Sequence, residues 1–375
     1  MKFIHLADVH LGAEPESGSS LGAARRKELW DAFRDIIELC EQEQIDLLLI
    51  AGDLFHAQPL LREVKEVDYL FRRLTHTKVV LIAGNHDCLL PGSHYYDVMF
   101  PEHVTFLMDS QADSVYFPEW NTEVFGLSYE VRQIPEARYD AIHINDSGRI
   151  NILLAHGSLV TGGAIEGRRS ESGDKSIPIH RSVLETAGFD YVALGHIHNR
   201  FEINNRIAYS GSLEPLDRTE TGAKGYIKGE ITKQGIEPGN LVWEFVPNAW
   251  REYVSVELAS TEQSTELSLC GELLAIMCDR GMQHMYLVTL VGTRAREVVW
   301  NLEAIETTVR NRGGNLVQLI DRTVPDIPLE RIREEQKDTL LGRFIERMEA
   351  VEDTELGRLG MQYGLQALLY RDERK

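Results

Sequence analysis

Along the first two-thirds of the chain, short apolar runs alternate with segments whose apolar residues recur at helical spacing. "FIHLA" (3–7) predicts a strand, and Leu29, Trp30, Phe33, Ile36, Ile37 and Cys40 fall on one face of a helix. "DLLLIAGD" (46–53) and "KVVLIAGNHD" (78–87) are continuous apolar runs, the pattern of strands buried on both faces, with a helix at about 60–74 between them. "TEVFGLS" (122–128), "INILLAHG" (150–157) and "DYVALGHIH" (190–198) add further strands. Between about 206 and 246, "RIAYSGS", "KGYIKGEIT" and "NLVWEFV" predict antiparallel strands joined by glycine-containing turns. The polar, Gly/Ser-rich stretch 160–178 has no periodicity and predicts a long loop. The expected fold class is α/β, a sandwich of mixed sheets flanked by helices.

The pattern resets after residue 246. A strand at "YVSVEL", a helix at about 264–278, a strand at "MYLVTLV" (285–291), a helix marked by Val298, Val299, Leu302, Ile305 and Val309, and a strand at "NLVQLI" (315–320) predict a small second α/β domain over 247–329. "TVPDIPLE" (323–330), with Pro325 and Pro328, reads as a linker. Beyond it, Leu340, Leu341, Phe344, Ile345 and Met348 predict an amphipathic helix. A weaker, glycine-interrupted one follows at about 353–370, giving a helical segment over 330–375.

How the apolar runs end is the chemical signal. Polar groups at the end of a buried strand are costly unless water, hydrogen bonds or a metal satisfies them. Five runs end in metal-ligand residue types: Asp8 and His10; Asp53; Asn85, His86 and Asp87; His156; His196 and His198. Taken singly, each has a bland reading, such as a turn, a helix cap or a hydrogen-bonded histidine. In open α/β sheets, however, the carboxyl ends of strands converge on one crevice. Oxygen and imidazole donors without thiolates suit Mn, Fe or Zn in a catalytic centre better than a structural cysteine site. Two ions about 3.5–4 Å apart need a bridge, which a carboxylate can supply.

Composition then narrows the picture. The 43% hydrophobic and 26% charged fractions are those of an ordinary globular protein. Cys40, Cys88, Cys270 and Cys278 show no CxxC spacing and read as reduced thiols. With no signal-peptide or membrane-span pattern, the expected location is cytoplasmic. A net charge of −20 argues against a protein that coats nucleic acid through a basic surface. It leaves room for a local anion site. Asp8 and Asp53 contribute −2 and two divalent ions +4, so the pocket nets +2 and attracts a phosphate ester.

The order "DxH…GDxF…GNHD…H…GHxH" resembles the calcineurin-like metallophosphoesterase signature. Within that superfamily "ADVHLG", "AGDLFH", "AGNHD" and "LGHIH" resemble the SbcD-type DNA repair exonucleases and the YhaO-like exonucleases. The motifs cover residues 1–215; beyond them only the layout matches.

The resemblance implies a nuclease domain over 1–246, a DNA-binding capping domain over 247–329, and C-terminal helices that grip an SMC-like ATPase. It also implies two divalent ions, most simply Mn²⁺ with Fe²⁺ or Zn²⁺ as options, a homodimer, and a nucleoid-associated role in processing DNA double-strand breaks. Asp8, His10, Asp53 and His198 would hold one ion, and Asp53, Asn85, His156 and His196 the other, with Asp53 bridging. The ions would activate water for attack on phosphorus. His86 would assist the leaving oxygen with Asp87 orienting it, and His56 matches a histidine near the site in some members. "GSLEP" (211–215) departs from the Gly-Ser-Pro common in the family. DNA would be held through its backbone, with Arg25, Arg26, Lys27, Arg168, Arg169, Arg218 and Lys224 as candidate contacts. Two other readings remain: a phosphodiesterase acting on small nucleotides, and an inactive scaffold protein of the same complex. "GDLFHAQ" and "GNHD" differ from the "GDxxDRG" and "GNHE" of protein phosphatases in the superfamily.

Overall fold

The structure, a computed structural model, describes residues 1–162, 164–165, 176–326, 338–351, 360–361, 363–365 and 367–368. Arg168 and Arg169 lie outside these residues, as do parts of the linker and of the last predicted helix. The chain divides into two compact units, Met1–Tyr253 and Val254–Lys375.

The first unit holds two six-stranded sheets. One is built from β1 (Lys2–Leu6), β2 (Leu47–Ala51), β3 (Lys78–Ile82), β4 (Val104–Phe106), β14 (Gly225–Thr232) and β15 (Asn240–Pro247), in the order β15-β14-β1-β2-β3-β4. The other contains β5 (Asp113–Phe117), β6 (Thr122–Gly126), β7 (Ile150–His156), β11 (Tyr191–Gly195), β12 (Phe201–Asn204) and β13 (Ile207–Tyr209), in the order β12-β13-β11-β7-β6-β5. Parallel strands fill the centre of both sheets; antiparallel pairs close both edges of the second sheet and the β15-β14 side of the first, whose other edge, β4, runs parallel to β3. A small three-stranded sheet, β8 (Ser158–Thr161), β9 (Ala164–Ile165) and β10 (Pro178–His180), follows β7.

The continuous apolar runs are explained by their position between layers. Leu47, Leu49 and Ala51 of β2 join Ile152, Leu154 and Ala193 in the core between the sheets. Leu48 and Ile50 of the same strand face the other way, packing with Phe33, Ile36 and Val67 of α1 (Gly22–Glu43) and α2 (Leu61–Phe71). The outer face of the second sheet packs with Tyr129, Tyr139, Ile177 and Leu184, the last from α3 (Arg181–Thr186). Sequence pattern and structure agree on an α/β sandwich of two mixed sheets flanked by helices.

The second unit takes in all but the first residue of β16 (Tyr253–Ser260), then α4 (Glu266–Arg280), β17 (Met285–Arg294), α5 (Leu302–Asn311), β18 (Leu316–Asp321) and β19 (Val324–Pro325). Its core includes Val256, Leu273, Met277, Tyr286, Val288 and Ile305. Helix α5 starts later than the apolar spacing predicts. Asn301 caps it by accepting from the Ala304 amide, and Val299 stays exposed before it. A helix over Leu340–Glu349 buries Leu341 and Ile345 against Leu365, while Leu340 is exposed.

The first unit runs past residue 246 because the next few residues are tied into it. Asn248 N donates to Lys224 O (2.8 Å), Trp250 N to Glu214 Oε1 (2.7 Å) and Tyr253 Oη to Glu16 Oε1 (3.0 Å). Arg25 belongs to this lock, which corrects its reading as a DNA contact. Its buried guanidinium pairs with Glu28, reaches Glu214 Oε2 at 2.8 Å, and donates to Pro215 O at 3.0 Å. It has no free face for a phosphate. Arg25→Ala should cost about 3–5 kcal/mol of stability, because it strands buried carboxylates. Arg26→Ala, which breaks an exposed pair with Glu14, should cost less than about 1 kcal/mol. Urea unfolding of both variants checks this, and equal small losses would contradict the burial argument.

Candidate metal centre

Past the ends of β1 and β2 the chain segments continue side by side. Asp8 N donates to Gly52 O (3.1 Å), His10 N to Asp53 O (3.0 Å), and Leu11 N to Leu54 O (2.9 Å). To follow that path, Asp8, His10 and Asp53 take φ of 51°, 50° and 49°, and His196 takes 101°. Non-glycine residues rarely adopt this region, at a cost of about 1–3 kcal/mol each. Four such residues gathered at candidate ligand positions mark where the fold stores strain.

The glycines of the motifs answer a second constraint. A Cβ on Gly52 would lie 2.4 Å from His156 Nδ1, one on Gly84 2.2 Å from Asp53 Oδ1, and one on Gly195 2.0 Å from Ala51 O. In "GD", "GN" and "GH" the glycine is therefore needed for the polar side chains to close on each other.

The side chains converge from five strand ends. Asp53 Oδ2 lies 3.4 Å from His156 Nε2 and 3.7 Å from His10 Nε2. His156 Nε2 is 3.0 Å from Asn85 Oδ1, and His10 Nε2 is 3.1 Å from His198 Nε2. The His196 amide donates to both oxygens of Asp8 at 3.0 Å, and the rings of His156 and His196 meet edge-on with centroids 5.3 Å apart. Donor atoms of Asp8, His10 and His198 could share one ion, as could those of Asp8, Asp53 and His156. Asp53 thus lies between the two halves, and Asp8 is also placed to serve both.

Hydrogen bonding tests whether the donors suit cations. His156 Nδ1–H donates to Ala51 O (2.8 Å), and His198 Nδ1–H donates to Glu220 Oε1 (2.6 Å). Both rings therefore turn Nε2 lone pairs inward, toward Asp53, Asn85 and His10. Without a metal these inward nitrogens and oxygens, about 3 Å apart, must share protons to avoid repulsion, and cations placed between them can satisfy the same atoms, so the residues fit a metal pair.

The electrostatics agree. Burial raises the Asp8 carboxyl and lowers the His10 imidazole well below its ordinary range. Burial would also lower His156, but the Asp53 carboxylate outweighs it and pushes the ring up to about 9. Asp53, against its own burial, is held far below the carboxylate range, chiefly by His156. The pocket draws in positive charge.

His86 stands at the rim. Its amide donates to Asp53 Oδ1 (2.8 Å) and its Nδ1–H to His56 O (2.8 Å), which leaves Nε2 without a hydrogen bond among the described residues. The His10 ring meets it edge-on and the His56 ring stacks on it, with centroids 4.9 and 5.4 Å away. Asp87 does not orient the His86 ring, contrary to expectation. It turns inward and accepts from Gly84 N (2.8 Å), Phe55 N (3.2 Å) and Tyr95 Oη (2.7 Å), bracing the loop that carries Asn85 and His86. His56 is exposed, and its Nδ1 lies 3.2 Å from His10 Nδ1.

Other supports were invisible in the sequence. Tyr139 Oη accepts from His156 N (2.9 Å), Tyr129 Oη donates to His156 O (3.1 Å), and Tyr209 Oη donates to Gly157 O (2.9 Å). Lys224, read as a DNA contact, is buried and donates to His198 O (2.6 Å) and Asn199 Oδ1 (2.8 Å). Arg26 is partly exposed and paired with Glu14, while Arg218 makes a two-pronged pair with Glu16.

A sequence profile of the calcineurin-like phosphoesterase family matches residues 1–200. The chain is similar to the uncharacterized metallophosphoesterase YhaO of Bacillus subtilis, with 27% identity over 82% of this chain and 75% of that protein. It is 29% identical to the DNA double-strand break repair protein Mre11 of Aeropyrum pernix, over 60% of this chain and 56% of the relative. It is 28% identical to the SbcD component of the nuclease SbcCD of Staphylococcus epidermidis, over 60% and 65% respectively. The chain thus spans less than two-thirds of the length of the latter two relatives. Strand-end ligands gathered on a two-sheet sandwich and a profile match over more than half of the sequence lead to one conclusion: this chain belongs to the calcineurin-like phosphoesterase family, hydrolases built around a dinuclear metal centre.

Proposed function

We propose that the protein is a DNA nuclease that hydrolyses phosphodiester bonds with two Mn²⁺ ions, as the nuclease component of a complex with an SMC-like ATPase that processes double-strand breaks. The observation that carries the catalytic part is the inward convergence of Asp53, Asn85, His10, His156 and His198 beneath a rim histidine whose Nε2 has no hydrogen bond among the described residues. The DNA part rests on relatives named as a break-repair protein and as part of a nuclease. In this reading the capping domain over 247–329 contacts DNA, the helices beyond 330 hold the ATPase, and the protein works as a homodimer.

Asp8, His10, Asp53 and His198 would hold one ion and Asp53, Asn85, His156 and His196 the other. When bound, the pair supplies a water acidic enough to attack phosphorus and positive charge for the phosphoryl oxygens. The protein's own groups do the rest. In its imidazolium form His86 keeps Nδ1–H on His56 O and delivers the Nε2 proton to the departing oxygen. Asp87 keeps the loop from shifting, so His86 meets the ester at a fixed distance from Asp53. His56 flanks the same rim and would face the substrate backbone.

Two variants separate ligand from proton donor. Asp53→Asn removes the charge and one coordinating oxygen between the two halves. It should abolish cleavage of a model phosphodiester and of linear DNA, and reduce bound Mn²⁺ per chain. Near-normal activity with two ions retained would sink the two-ion reading. His86→Gln should leave metal content intact and lower turnover by roughly 10²–10⁴, the usual scale for general acid–base assistance. Loss of both ions in that variant would make His86 part of the metal scaffold instead.

A further inference from the structure

His156 and His198 both turn Nε2 inward, yet they are held in different ways. His156 ends a central strand, and its ring rests on a backbone carbonyl. His198 lies beyond β11 in a bend, without a strand ladder to fix it. Its ring rests on the carboxylate of Glu220, which lies 22 residues further along the chain and 2.6 Å away. Glu220 is itself buried and fully engaged. Lys224 Nζ lies 3.1 Å from its second oxygen, which also accepts from Leu216 N (3.1 Å) and from Ser212 Oγ (3.5 Å). The same ammonium grips the His198 carbonyl. Gly211 lets the loop pass close beneath, since a Cβ there would lie 2.8 Å from His198 O. Both the ring and the backbone of His198 are therefore held by one charged pair on the loop between β13 and β14.

We propose that Glu220, braced by Lys224, is a positioning residue for His198 that sets the affinity of one of the two metal positions, the one His198 shares with Asp8 and His10. The proposal rests on the metal-centre reading above. The physical reason is twofold. A carboxylate on Nδ1–H fixes the tautomer, so the lone pair of Nε2 points into the site. It also makes the ring a better donor, and losing such a partner typically weakens metal binding about 10–100-fold. Lys224 keeps the buried carboxylate charged. A merely space-filling residue would need neither charge.

The test uses the full chain, stripped of metal and titrated with Mn²⁺ by calorimetry. Electron paramagnetic resonance reports whether bound ions form a coupled pair. Glu220→Gln keeps shape and loses charge; Glu220→Asp keeps charge and shortens the reach; Lys224→Met removes the brace. In wild type, two ions should bind and give a coupled spectrum. In Glu220→Gln and Lys224→Met, one position should weaken about 10–100-fold while the other keeps its affinity. At sub-saturating Mn²⁺ those variants should show a single-ion spectrum, with excess Mn²⁺ restoring the coupled one. Glu220→Asp should fall between. Thermal unfolding of the metal-free proteins should show some loss for each single change, which strands a buried charge, while the double variant Glu220→Gln with Lys224→Met, which strands none, should stay near wild type and still lose affinity at one position only. Unchanged affinity at both positions, or equal loss of both together with a lowered metal-free melting temperature in the double variant, would overturn the positioning role alone. A wild-type chain that binds no metal pair would overturn the centre and this proposal with it.

Discussion

Asp8 and Asp53 are buried where two parallel strands end, and among the described residues no arginine or lysine lies within ion-pair distance of either. Their neighbours are histidine rings and backbone amides. Burial raises the Asp8 carboxyl and leaves Asp53 dependent on the His156 ring, and taking such groups out of water is among the costlier arrangements a protein can adopt. The strain around them adds to that cost, with left-handed backbone at both aspartates, at His10 and at His196. A fold tolerates such a deficit only where binding of something else offsets it, and divalent cations are what this donor set fits. The rest of the first unit can be understood as the frame that keeps this deficit in one place. Two sheets press together so tightly that Gly52 and Gly195 are needed between them, Gly84 makes room for Asp53 beside it, and tyrosine hydroxyls hold the loop after β7.

The frame and the strand ends that carry the candidate ligands were legible in the sequence for one reason. An apolar run buried on both faces leaves no ambiguity about where the strand ends, so the first polar residue after it is informative. "LIAGD" and "LIAGNHD" state both the strand and its site. What could not be read were partnerships that depend on which way a long side chain turns. Arg25 followed by Arg26 and Lys27 looks like a solvated basic face, yet Arg25 shares the helix face of Leu29, Ala32 and Ile36, all buried. Its position four residues before Leu29 carried the signal, and the charge hid it. Lys224 is similar: it stands four residues after Glu220, but in a loop, where that spacing predicts no contact. Asp87 misled for the opposite reason. Its sequence neighbour His86 points to the rim while Asp87 points to the core, because the loop turns between them. Adjacency in sequence is poor evidence of contact outside regular elements.

These partnerships also bear on how an acidic protein meets an anionic substrate. Of the basic residues that the sequence offers as phosphate contacts and the structure describes, each is matched to a carboxylate: Arg25 with Glu28 and Glu214, Arg26 with Glu14, Lys27 with Asp31, Arg218 with Glu16, and Lys224 with Glu220. Exposed pairs of this kind present little net field beyond a Debye length of about 8 Å. With a net charge of −20 spread over the chain, attraction of a phosphodiester to the first unit cannot come from these side chains. On the proposed reading it comes from the centre itself, where two divalent ions against two carboxylates leave a positive pocket in a low-dielectric wall. Such a pocket acts at short range and on one phosphate at a time. That suits an enzyme that cuts backbones without reading sequence, and it makes metal occupancy, rather than surface charge, the switch for substrate affinity.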